Sequence, residues 1–144
     1  MTDLINKLTD VFNTNFVAYY RTHVSHVNIT GRNFYSDHKL LQKIYEELQA
    51  DVDTIAEFLR TLAAVMPESL GVVVDGSKIA DLDVYGTADE LLQSVLTDLT
   101  SLISLYRELE EEAELAEEDQ IGNFAQDRET VLTKFSWMLR STLD

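Results

Sequence analysis

Residues Thr87–Leu109 read TADELLQSVLTDLTSLISLYREL, and the spacing within this stretch decides the fold. Leu92, Val95, Leu99, Leu102, Tyr106 and Leu109 recur at alternating intervals of three and four, the repeat of one helix face. Thr87 and Glu90 stand where a capping box would close the helix start. In that motif the hydroxyl accepts from the amide three residues on, and the carboxylate reaches back to the first amide. Outward from this segment, only Pro67 and five glycines (Gly31, Gly71, Gly76, Gly86 and Gly122) break the chain. They leave four long segments: 1–30, 32–66, 87–121 and 123–144. The first carries Leu4, Leu8, Phe12, Phe16, Tyr20 and Val24 at intervals of four. The second carries Leu41, Ile44, Leu48, Val52, Ile55, Leu59 and Leu62. The last offers Phe124, Val131, Phe135 and Met138 on one stripe, with Leu132 and Leu139 beside it.

Four amphipathic helices in a chain of 144 residues predict one all-α domain spanning 1–144, a four-helix bundle. Short joins around Gly31 and Gly122 make the first pair and the last pair antiparallel neighbours. The join from Pro67 to Gly86 is long enough to cross the bundle, which makes the second and third helices parallel. One long crossover is the ferritin-like topology, as opposed to up-down-up-down.

Composition excludes several classes of function. Apolar residues form 45% of the chain and charged residues 26%, enough material for a core. Acidic side chains number 26 against 11 basic ones, a formal net charge of −15. Binding nucleic acid by charge is disfavoured, because it needs Lys and Arg to neutralise phosphates. Cysteine is absent, which rules out disulfides, thiolate catalysis, iron–sulfur clusters and Cys-type zinc sites. No run reaches the length of a membrane span and Met1–Asp10 holds no apolar signal core, so a cytoplasmic location is expected.

The second helix has two organised faces. On a wheel of 100° per residue, His38, Gln42, Glu46, Asp53 and Glu57 fall within an arc of about 100°, well away from the apolar stripe. Leu40, Tyr45 and Ala56 flank this polar stripe, an uncommon border for a face that is merely wet. His38 and Asp53 are fifteen residues apart, about 22 Å along a helix, so they cannot hold one ion within a chain. Two antiparallel copies of this helix, crossing near Glu46–Gln49, would bring His38 of one chain to Asp53 and Glu57 of the other. Such a contact is isologous and makes two equivalent sites. Mixed imidazole and carboxylate ligands without thiolate suit iron, manganese or zinc. A di-iron centre inside the bundle would use Glu-x-x-His, whereas Tyr20, His23 and Tyr35 stand three residues before the histidines.

These residues carry a family resemblance. His26-Val27-Asn28-Ile29-Thr30-Gly31, then Phe34-Tyr35, His38 and Asp53-Thr54-Ile55-Ala56-Glu57 resemble the signature of the Dps family, the DNA-protection-during-starvation miniferritins. Phe135-Ser136-Trp137-Met138-Leu139-Arg140 is similar to that family's closing element. The resemblance implies a hollow shell of twelve subunits with ferroxidase centres between two-fold-related chains. Iron(II) would be oxidised there, preferentially with hydrogen peroxide and otherwise with oxygen, and stored as ferric mineral. His26, His38, Asp53 and Glu57 match the family's iron ligands and would be the catalytic set. Two positions depart from the pattern. The carboxylate expected four residues after the second histidine is Gln42, with Glu46 a turn further on, and the usual Trp after the first histidine is Val27. An aromatic neighbour able to take up radical equivalents is thus expected to be missing. The start of the family's last helix contributes to a three-fold channel, which makes Glu118, Asp119 and Asp127 the residues to examine.

The competing reading is a shell without enzymatic activity, binding metal weakly because of Gln42. His23 reads as an ordinary polar residue, Trp137 as core or interface, and Arg128, Lys134 and Arg140 as surface or interface ion-pair partners. Residues 1–20 contain one basic side chain, Lys7, so no basic tail offsets the charge. We expect no retardation of plasmid DNA in a gel-shift at neutral pH without divalent metal. Clear retardation under those conditions would contradict the charge argument, whereas retardation appearing only with Mg²⁺ would indicate metal bridging.

Overall fold

Ion pairs across the helix seams give the topology directly in the computed structural model, which describes residues 1–144. The helices are α1 (Thr2–Asn28), α2 (Phe34–Thr61), α3 (Leu70–Gly76), α4 (Ala88–Leu115) and α5 (Asp119–Leu143), with no strand. Lys7 pairs with Glu108 and Arg21 with Asp98, so α1 and α4 run antiparallel. Arg107 pairs with Glu129 and Gly122 lies against Ala113, which makes α4 and α5 antiparallel too. Phe58 meets Phe124, while Glu47 and Asp51 meet Arg128, so α2 and α5 are antiparallel. It follows that α2 and α4 are parallel and that residues 62–87 cross the length of the bundle. This is a ferritin-like four-helix bundle. No helix is long and apolar enough to cross a membrane.

The core follows the periodicity of α2 and α4 closely. Leu41, Ile44, Leu48, Ile55 and Leu59 of α2 are buried, as are all six residues of the α4 stripe. The capping box of Thr87 and Glu90 is formed. On α1 the stripe drifts: steps of four turn it by about 40° each time. Leu4, Leu8 and Phe12 are buried, but Tyr20 is 61% exposed, and the core face continues through Val11, Ala18, Thr22 and Ser25. On α5 the buried line is Ile121, Ala125, Leu132, Ser136 and Leu139, while Phe124 and Phe135 pack at its edge. Trp137 is half exposed, outside the core.

Two helix ends fall where no glycine marks them. α2 stops at Thr61, before Pro67, with Ala63 in the left-handed region at φ 62°. α4 stops at Leu115 with Glu117 at φ 58°, and Gly122 lies inside the first turn of α5 instead of in the joint. Both ends are Schellman closures. The amides of Ala63 and Ala64 bond the carbonyls of Arg60 and Leu59, and those of Glu117 and Glu118 bond Glu114 and Ala113.

The crossover is tied to α1. α3, capped by Ser69, packs against α1, and a side chain at Gly76 would collide with Asn13. The Lys78 amide donates to Thr14 Oγ1. Arg21 reaches from α1 to Asp98, Ser94 and the Leu82 carbonyl, joining three parts of the chain with one guanidinium. Arg128 is not a surface partner. Its side chain is mostly buried, donating to Glu47 and Asp51 of α2 and to Asp127.

A non-glycine residue at positive φ costs about 1–2 kcal/mol, partly offset in a glycine variant by extra freedom of the unfolded chain. Ala63→Gly and Glu117→Gly should therefore each stabilise the fold by about 0.5–1 kcal/mol, seen as a higher thermal midpoint. A lower midpoint for both would contradict this reading of the two closures.

Candidate metal centre

The turn between α1 and α2 brings two histidines face to face. Residues 29–33 reverse the chain, with Gly31 at φ 121°, a conformation that favours glycine. His26 lies in the last turn of α1 and His38 near the start of α2. Their rings stack at 3.8 Å between centroids, inclined by 16°. Nδ1 of His26 donates to the His38 carbonyl at 2.7 Å, and Nδ1 of His38 donates to the His26 carbonyl at 2.8 Å. A carbonyl only accepts, so each Nδ1 carries a hydrogen, and in the neutral rings both Nε2 atoms keep a lone pair. The His26 carbonyl belongs to the last turn of α1, where carbonyls lack intrahelical donors, so the lock also closes the helix end. Burial pushes His26 below the ordinary imidazole value against the opposing pull of its bond to the His38 carbonyl, and the neighbouring rings of His38 and His23 add to the lowering. Near pH 7 this favours the neutral form, which is the form that ligates metal.

Aromatic rings surround the pair. Phe34 stacks on His38 at 4.9 Å, and Tyr45 lies 5.0 Å from His26. Tyr45 also stacks on His23 at 4.0 Å, and the Tyr19 hydroxyl is 3.0 Å from His23 Nδ1. Val27 is 61% exposed, but the expectation that the histidines lack an aromatic neighbour fails. Tyr45 follows His38 by seven residues, almost the same angle on the helix, and Tyr19, His23 and His26 are spaced by four and three. That spacing is the sequence signal by which the cluster could have been found.

The carboxylates lie elsewhere. Asp53 and Glu57 are exposed neighbours one turn apart on α2, lining a shallow depression of about 200 Å³ with Thr54, Phe58 and Thr61. A hydrogen bond with Asp53, and the charge of that group, hold the Glu57 carboxyl above its ordinary value. Within one chain no group of three or more His, Asp or Glu side chains is placed to hold a metal ion. The structure thus brings His26 to His38 and Asp53 to Glu57, but not one pair to the other. Gln42, between them on the same face, donates from Nε2 to Glu46 at 2.9 Å.

Glu118 and Asp119, at the start of α5, line a polar groove of about 410 Å³ with Glu110 and Glu114. Asp127 does not line it and is bonded to Arg128 instead. The pairing of Asp51 with Arg128 was not foreseen. Its signal is an acid three residues after Leu48 and four before Ile55, on the apolar stripe itself.

Residues 5–144 match the Ferritin family, described as a ferritin-like domain. A DNA protection during starvation protein of Brevibacillus brevis is 25% identical over 128 residues, which is 89% of this chain and 86% of the relative. The crystal structure of Dps from Staphylococcus aureus superposes with a TM-score of 0.94 at 23% identity, covering 100% of this chain and 97% of that one. A Dps protein from Vibrio cholerae O1, described as a member of a broad superfamily of ferritin-like diiron-carboxylate proteins, superposes with a TM-score of 0.93 at 24% identity. That match covers 99% of this chain and 90% of the other.

An amide carries no formal charge to offset a cation, so the His38 side of the face should be the weaker metal position. Gln42→Asp should raise the stoichiometry of zinc, a redox-inert probe, in calorimetric titration of the purified protein. Equal stoichiometry before and after the substitution would show that the amide is no handicap.

Proposed function

The chain belongs to the Dps family of ferritin-like proteins, and from that premise we propose that it is a ferroxidase that stores the iron it oxidises. Iron(II) is the substrate and hydrogen peroxide the preferred oxidant. Ferric product collects inside a closed homo-oligomeric shell of twelve chains. The observation that carries this reading is the split ligand set. Two imidazoles present free Nε2 lone pairs at one end of the α2 face, and two exposed carboxylates wait at the other.

A second copy of α2, antiparallel across a two-fold axis, supplies what each half lacks. His26 and His38 of one chain provide neutral nitrogen, and Asp53 and Glu57 of the partner provide negative charge. The hydrogen bond with Asp53 and the charge of that group raise the Glu57 carboxyl above its ordinary value, so cation binding at this pair should weaken as the pH falls. Oxidation of two iron(II) ions delivers two electrons to one peroxide, which takes up two protons and leaves as two waters. The groove at Glu110, Glu114, Glu118 and Asp119 would draw cations toward the shell by its field. Manganese or zinc would fit the same ligands.

A second reading is favoured by Gln42 alone. Its amide brings no formal charge to a second metal position and its Nε2 engages one Glu46 oxygen, so that position would be weak and the particle would sequester metal with little turnover. We place DNA compaction outside the function, on the net charge of −15 per chain.

Substituting a ligand should slow peroxide-driven iron(II) oxidation by about tenfold or more, so His26→Ala and Glu57→Ala each serve as tests. Assembling the two variants together is the sharper experiment. If the site lies between two-fold-related chains, random mixing leaves about a quarter of the sites intact and restores about a quarter of the activity. A site contained in one chain would show no recovery. Sedimentation of the same samples checks the shell, and a stable monomer or lone dimer would defeat the reading.

A further inference from the structure

Far from the histidines, Glu129 of α5 places a carboxylate oxygen where nothing donates to it. Its side chain is 17% exposed, and Oε1 accepts from Arg107 Nε at 3.3 Å across the seam between α4 and α5. Oε2 is shut off from solvent and has no hydrogen-bond partner, a costly state for an acceptor. The group that faces Glu129 at bonding distance is the Glu110 carboxyl of α4, three residues after Arg107. Two ionised carboxylates cannot satisfy each other, because each only accepts. One shared proton satisfies both, since a carboxylic acid donates to a carboxylate. The depression around the pair, about 360 Å³, is lined entirely by polar side chains: Arg107, Glu110, Gln126, Glu129, Thr130 and Thr133. The Thr130 hydroxyl is committed to the Gln126 carbonyl.

We propose that Glu110 and Glu129 form a proton-operated latch across the α4–α5 seam, closed while they share one proton and loosened by their repulsion once it leaves. The charges facing Glu129 come from α4, as Arg107 and Glu110. Its neighbours on α5 turn away: Arg128 reaches Glu47 and Asp51 of α2, and Asp127 is bonded to Arg128. On the α1 side of α4, Lys7 is paired with Glu108. Burial, then the hydrogen bond and charge of Glu110, raise the Glu129 carboxyl to about 7 against the pull of Arg107. The folded chain therefore holds a proton that the unfolded chain has released. The contribution of the latch is complete below the ordinary carboxyl value of 4.5 and is lost as the pH rises through about 7. Glu110 also lines the groove of Glu114, Glu118 and Asp119, so loss of the proton adds negative charge at the edge of that groove.

The test uses the full chain as it assembles, with its glutamate carboxyls labelled with heavy carbon, and follows infrared absorption from about pH 5 to about pH 9. A protonated-carboxyl band should vanish with a midpoint near pH 7, and Glu129→Gln should lack that transition. The amide keeps an oxygen for Arg107 and donates from Nε2 to Glu110, so it holds the latch closed at every pH. Its thermal midpoint should match the wild type near about pH 6 and exceed it near about pH 8. Protection of the α5 amides against hydrogen exchange, corrected for intrinsic rate, should fall several-fold over the same interval in the wild type alone. Glu110→Gln puts the donor on the opposite side of the seam and should behave alike. An infrared transition shared by the wild type and both amide variants would overturn the latch. So would equal pH dependence of their thermal midpoints and amide protection, which would leave a shared proton that holds nothing. Should Glu129→Gln fail to fold, Glu110→Gln decides by the same comparisons.

Discussion

A straight helix fixes the distance between its residues, and α2 sets His38 and Asp53 about 22 Å apart. No rotamer change closes that gap. The nitrogen and carboxylate halves of the candidate ligand set therefore stay separate in one chain, consistent with the absence of any three-ligand group. The crossover could have covered the face between them, but α3 lies against α1, held there by the close approach of Gly76 to Asn13. Asp53 and Glu57 are left exposed on a regular helix, the geometry a two-fold partner could use.

The interior of the bundle is chemically closed by contrast. In other ferritin-like di-iron proteins facing helices project carboxylates and histidines inward. Here the buried acids Asp51 and Asp98 each meet an arginine. Burial pushes the Asp51 carboxyl up to about 6, against the pull of Arg128. Burial likewise raises Asp98 against the pull of Arg21. Removing one partner of such a pair typically costs about 3–5 kcal/mol, because a charge is left buried alone. The two guanidiniums thus do in the core what a cation would do: they balance acids that cannot reach water. They also link α2 to α5 and α1 to α4 at mid-bundle, with the crossover attached through the Leu82 carbonyl.

At the other end of α2 the constraint is tautomeric. Each imidazole of the His26–His38 pair is held by the backbone carbonyl of the other. Ring orientation, hydrogen position and helix closure are set by the same two bonds, so the direction of each Nε2 atom is fixed by the fold. The rings also touch Tyr45 and Phe34, so aromatic side chains flank the two imidazoles.

Local pattern was enough for the class of fold, and it singled out the histidine and carboxylate pairs as candidates. The three-four spacing of α2 and α4, the Thr87–Glu90 cap and the long crossover specify a ferritin-like bundle, because burying one stripe per helix leaves few arrangements. The separation of His38 from Asp53 and Glu57 was equally legible, since it depends only on helix rise. Helix ends were not, because Ala63 and Glu117 adopt positive φ without being glycine, held by hydrogen bonds that only the folded turn supplies. The drifting stripe of α1 misled for a related reason: packing against α2, α3 and α4 selects Val11, Ala18 and Thr22 over Tyr20 and Val24. The Arg128–Asp51 pair, the histidine tautomers and the run from His26 to Tyr19 join residues of different helices or depend on ring orientation. Tertiary structure alone decides these, because contacts across a seam depend on how two helices rotate against each other, and neither helix encodes that rotation by itself.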